Sequence, residues 1–65
     1  MIVSINGFDK KIRNNLFVSG LVAELKLNGK FAIEINGEIV PRSCYMERII
    51  KENDRIEIVG AIGGG

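Results

Sequence analysis

Val18-Ser-Gly-Leu-Val-Ala-Glu-Leu25 sets Val18, Leu21, Val22 and Leu25 at i, i+3, i+4 and i+7, a single apolar stripe along a helix. On either side of it the apolar period drops to that of a strand. In residues 1–5, Met1, Val3 and Ile5 share one face, with Ile2 and Ser4 on the other; in residues 31–35, Phe31, Ile33 and Ile35 stand against Ala32 and Glu34. Asn6-Gly7 closes the first segment and tolerates the positive φ angles of a type I′ hairpin turn. Asn36-Gly37 makes a second turn. Returning strands follow over residues 8–12 and 38–40, and Pro41, which has no N–H for a ladder, stops the latter. Residues 55–59 alternate charged with branched apolar side chains and form a last strand. The order is strand, strand, helix, strand, strand, strand. It predicts an α+β fold, one mixed sheet of about five strands with the main helix packed on one face. A right-handed crossover brings the later strands beside the first hairpin.

The ends of the helix are less defined. Arg13, Asn14 and Asn15 are polar and turn-prone, so the chain is expected to leave the sheet there. Ser19 or Asn15 caps the helix, and Asn28-Gly29 supplies the left-handed residue that ends it. Gly20 falls near the first turn, where a glycine does least harm. Residues 43–50 are expected to form a turn of helix burying Tyr45, Ile49 and Ile50, followed by a polar turn over residues 51–54. The expected inward set is Val3, Ile5, Ile12, Val18, Leu21, Val22, Leu25, Ile33, Ile35, Ile49, Ile56 and Ile58.

Sixty-five residues allow one small domain, and a content of 46% hydrophobic and 26% charged residues fits a globular chain. A net charge of +1 argues against a protein built to neutralise nucleic acid phosphates. The absence of histidine excludes Ser/His/Asp and Cys/His catalysis and every His-ligated metal site. Cys44 is the single cysteine, so neither an internal disulfide nor a Cys-based zinc site is expected, which fits a reducing, cytoplasmic setting. No apolar run approaches the ~20 residues of a membrane span. Little equipment remains for independent chemistry.

The carboxyl end departs from this pattern. Eight glycines occur in the chain, and Gly60, Gly63, Gly64 and Gly65 crowd its last six residues. Glu57 is the last charged side chain. Residues 1–59 are therefore expected to form the body, and residues 60–65 a flexible glycine-rich tail reaching at most ~20 Å. A side-chain-free thread can enter a channel that any Cβ would obstruct and present its terminal carboxylate to another protein's active site. An α-carboxyl ordinarily titrates near ~3.3–3.7, so it is ionised at neutral pH and a poor electrophile. Activation, for example as an acyl-adenylate, has to come from a partner.

Val18–Leu25, Ile35-Asn-Gly-Glu-Ile-Val-Pro-Arg42, and Asp54-Arg-Ile-Glu-Ile-Val59 leading to Gly63-Gly64-Gly65 give the whole chain a resemblance to the ThiS-type sulfur carriers of thiamin biosynthesis. These are members of the ubiquitin-like β-grasp group. One departure is Asn53, where that family usually has glycine; a turn tolerates either. The resemblance implies a carrier rather than an enzyme. An E1-like adenylyltransferase, using ATP, would adenylate the carboxylate of Gly65. Sulfur derived from a cysteine desulfurase would convert it to a thiocarboxylate, and thiazole synthase would receive that sulfur for the thiazole ring. Gly65 is then the modified residue, and Gly64 and Gly63 the threading residues. The protein itself would bind no cofactor, contact neither nucleic acid nor membrane, and act as a monomer.

Other readings stand beside this one. A related carrier for molybdopterin synthesis and a modifier joined to lysines share the glycine-end chemistry. A β-grasp binding module with an incidental tail does not. Val59 and Ile62 continue apolar beyond the last charge and suggest a docking surface, against the alternative that they pack on the sheet edge. Cys44 reads as a small hydrophobe, Asp54 as a turn residue, Arg42 as solvated, and Lys10, Lys11 and Arg13 as a solvated hairpin end. Phe8, Phe17, Phe31 and Tyr45 read mostly as core, which disfavours an RNA-stacking surface.

Overall fold

The computed structural model describes residues 1–60. Its elements are β1 (Ile2–Ile5), β2 (Phe8–Lys11), α1 (Val18–Glu24), β3 (Phe31–Ile35), β4 (Glu38–Val40), a 3-10 turn (Arg42–Cys44) and β5 (Arg55–Gly60). The strands form one mixed sheet in the order β2-β1-β5-β3-β4, the expected ubiquitin-like β-grasp arrangement. Two hairpins flank the last strand. β1 runs parallel to β5, with Ser4 opposite Arg55 and Ile5 opposite Ile56. β3 runs antiparallel to it, from Phe31 opposite Gly60 to Ile35 opposite Ile56. Gly60, grouped with the tail on sequence grounds, is thus the final residue of β5.

The two Asn-Gly pairs turn as their residue types require, with φ of 50° and 88° at Asn6 and Gly7 and 53° and 88° at Asn36 and Gly37. Both asparagines also clip β5 in place. The parallel ladder between β1 and β5 is short, and the Asn6 side chain lengthens it: the Ile58 N–H donates to Asn6 Oδ1 at 2.7 Å, and Asn6 Nδ2 donates to the Ile58 carbonyl at 3.2 Å. At the other end of the strand the Arg55 N–H donates to Asn36 Oδ1 at 2.9 Å, and Asn36 Nδ2 donates to Asp54 Oδ1 at 3.0 Å. Asp54 Oδ2 accepts the Lys51 N–H at 2.8 Å. Asp54 is the buried polar residue of the described chain, and its carboxylate is satisfied by the turn it closes.

The helix begins and ends by other means than local capping residues. Phe17 is the N-cap, with no side-chain hydrogen bond, so neither Ser19 nor Asn15 fills that role. The free N–H groups of the first turn are instead taken by carbonyls of a distant loop: Val18 donates to Arg48 and Ser19 to Tyr45, each at 2.9 Å. At the other end Lys26, not Asn28-Gly29, supplies the left-handed residue, with φ of 56°. Lys26 N–H donates to the Ala23 carbonyl and Leu27 N–H to that of Val22, both at 3.1 Å, the pair of bonds of a Schellman motif.

The buried core comprises Val3, Ile12, Leu16, Val18, Leu21, Ile33, Ile35, Val40, Tyr45, Ile50, Ile56 and Ile58. Ile5, Val22 and Leu25 are only partly buried against it, and Ile49 is exposed, so these four expected core positions shift outward. Leu16 and Val40 take their place. Leu16 occupies the position before the N-cap and Leu21 the fourth helical position, the two sites of a hydrophobic staple. The expected helical turn over residues 43–50 contracts to the 3-10 turn, where Pro41 fixes the entry and Tyr45 points inward.

Candidate functional site

Alternation along the strands assigns their side chains to two faces. Val3, Ile33, Ile35, Val40, Ile56 and Ile58 share the core with Val18 and Leu21 of α1. The opposite face carries Ala32 and Glu34 from β3, Ile39 from β4 and Glu57 and Val59 from β5. Ala32 lies opposite Val59, Glu34 opposite Glu57, and Ile39 opposite Glu34. Val59 is 51% exposed and Ile39 60% exposed. The end of β5 from which the chain continues therefore lies beside an uncovered apolar surface two strands wide, with a pair of carboxylates one rung behind it.

One position further toward the end of β5, on the sheet's other face, stands an aromatic assembly. Phe31, opposite Gly60, stacks on Tyr45 with ring centroids 6.4 Å apart and planes 17° from parallel. The guanidinium carbon of Arg42 lies 4.9 Å from the Phe31 ring centroid, a cation–π contact. Arg42 is thus exposed but not merely solvated. Tyr45 is the only buried aromatic among the described residues; Phe8 is 77% exposed and Phe17 39%, so the aromatics are less of a core than their residue types imply.

Of the expected site residues, Val59 is half exposed on the open face, whereas Ile62, Gly63, Gly64 and Gly65 lie outside the described residues. Cys44 is half-buried and packs at the core margin, in a shallow cavity of about 250 Å³ lined also by Val40, Pro41, Glu47 and Arg48. Lys10 and Lys11 sit exposed on β2, an edge strand that charge protects from further pairing. Among the described residues no group of three His, Cys, Asp or Glu side chains is placed to hold a metal ion, and no helix is long and apolar enough to cross a membrane. The open-face position of Ile39 and the contact of Arg42 with Phe31 escaped the sequence reading. The first follows from register, since Ile39 alternates with buried Val40; the second had no local signal.

The fold and this surface define a small β-grasp protein whose last strand runs out beside an apolar face. A profile of the ThiS family matches residues 3–65, and the chain belongs to that family. The crystal structure of the thiamine biosynthesis protein ThiS from Geobacter metallireducens superposes with a TM-score of 0.86 at 28% identity, each chain covered in full. The solution structure of a thiamine biosynthesis protein from the same organism gives 0.81 over 88% of its length. The chain is also 39% identical over its whole length to a thiazole synthase from Paramagnetospirillum magneticum, of which it spans only 20%. An uncharacterized protein of Porphyra purpurea, ycf40, is 31% identical over 90% of its length.

Proposed function

We propose that this chain is a sulfur carrier for the thiazole ring of thiamin and acts as a co-substrate rather than a catalyst. The observation that carries the reading is the family match, which runs through the glycine end to residue 65. In the proposed cycle a Gly65 carboxylate oxygen attacks the α-phosphorus of ATP in an E1-like adenylyltransferase, and pyrophosphate leaves. Persulfide sulfur drawn from a cysteine desulfurase then adds to the acyl carbon and AMP leaves. A partner's thiol cleaves the resulting acyl disulfide, itself ending in a disulfide, and the thiocarboxylate so released carries the sulfur to thiazole synthase. Thiocarboxylate sulfur is the stronger nucleophile, and holding it on a protein avoids free sulfide.

The relative from Paramagnetospirillum magneticum supports the choice of receiver. A segment like this chain forms a fifth of a protein named thiazole synthase, which favours the thiazole branch over molybdopterin. The Val59–Ala32 surface with Ile39 is the proposed docking face, because it is apolar, exposed and borders the final residues of β5. Gly63 and Gly64 thread where a side chain would clash. The test is removal of Gly64 and Gly65. The reading expects an unchanged fold by circular dichroism and complete loss of sulfur transfer; transfer that persists at the wild-type rate contradicts it.

A further inference from the structure

Gly60 differs from the left-handed glycines of the two hairpin turns. At Gly7 and Gly37 a Cβ would meet nothing within 4 Å, so only the backbone conformation demands glycine there. At Gly60 φ is +123°, and a Cβ would also lie 2.7 Å from the Lys30 carbonyl oxygen and 2.8 Å from Phe31 Cα. Both are backbone atoms, so no rotamer change relieves the overlap. The backbone of β3 is poorly placed to yield, because Phe31 is held by its stack on Tyr45 and by Arg42.

We propose that Gly60 is a positioning residue: its backbone state, denied to any L side chain by φ and by the approach of Lys30 and Phe31, sets the heading at which the chain leaves β5. The proposal rests on the sulfur-carrier reading, because that heading decides where Gly65 meets a partner's active site. An L residue at position 60 forces one of two changes. Either φ becomes negative and the chain leaves the sheet on another course, or the last rung between β3 and β5 parts. A displacement of the reacting carbon by about 1 Å can lower a rate on the order of 100-fold.

Three chains test this: wild type, Gly60→Ala, and Gly60→D-Ala made by segment ligation. A D residue favours positive φ and places its methyl where the other α-hydrogen stands. Amide residual dipolar couplings of residues 60–62 should change in G60A and match wild type in the D-Ala chain. Adenylation by the E1-like enzyme, followed by pyrophosphate release, should show kcat lowered about 10- to 100-fold in G60A with KM almost unchanged, and wild-type values for D-Ala. Wild-type couplings and kcat in G60A, or a D-Ala chain as impaired as G60A, would overturn the proposal. If G60A does not fold, the D-Ala chain decides alone, since it must both fold and load normally. If the wild-type chain is not adenylated at all, the carrier reading falls, while the couplings still judge Gly60.

Discussion

Asp54 holds two donors at once, the Lys51 N–H and Asn36 Nδ2, from a nearly enclosed position. Replacing it by alanine removes both bonds, which are part-buried, and a hydrogen bond in a protein contributes about 0.5–1.5 kcal/mol net, more to a charged group. Asp54→Ala should therefore lower the midpoint of thermal unfolding by several degrees at least, at about 4–8 °C per kcal/mol for a domain of this size; an unchanged midpoint would show the bracket to be idle. Lys26 is the converse case. It occupies a left-handed position that disfavours a Cβ by about 1–2 kcal/mol, so Lys26→Gly should raise stability in a urea titration, less the entropy that glycine adds to the unfolded chain. Asp54 as a turn residue was readable from its polar neighbours. Lys26 was not, because Asn28-Gly29 two residues on offered the better local signal, and the Schellman bonds to Val22 and Ala23 outweighed it.

The hairpins were the most legible elements, since Asn-Gly between alternating segments leaves few other turns. What sequence could not convey was that Asn6 and Asn36 also bind the last strand, a contact across 52 residues in the case of Asn6 and Ile58. Asn6→Ala should release the Ile58 amide, read as hydrogen exchange there faster by on the order of tenfold or more, with Ile33 little affected. Equal protection at Ile58 would mean that the two-pair ladder suffices alone. The helix was legible in its middle and not at its ends, because its first N–H groups are met by carbonyls of Tyr45 and Arg48, a tertiary arrangement with no local signature. On the open face, Val59→Asp leaves the core untouched. It should keep the fold yet weaken binding to the E1-like enzyme by about tenfold, equivalent to about 1.4 kcal/mol; undiminished affinity would move the docking surface elsewhere.

Among the described residues the twelve buried core side chains run from Val3 to Ile58, eight on the sheet and helix and four, Ile12, Leu16, Tyr45 and Ile50, on the segments that join them. The apolar face beside β5, the glycine at its exit and the family match through residue 65 all bear on where the chain's end is delivered. The most direct measurement is the intact mass of the purified chain after incubation with ATP, a cysteine-desulfurase sulfur source and the E1-like adenylyltransferase. The account predicts a gain equal to the exchange of one oxygen for sulfur, confined to the fragment that contains Gly65. An unchanged mass, or sulfur found on Cys44 instead, would contradict it.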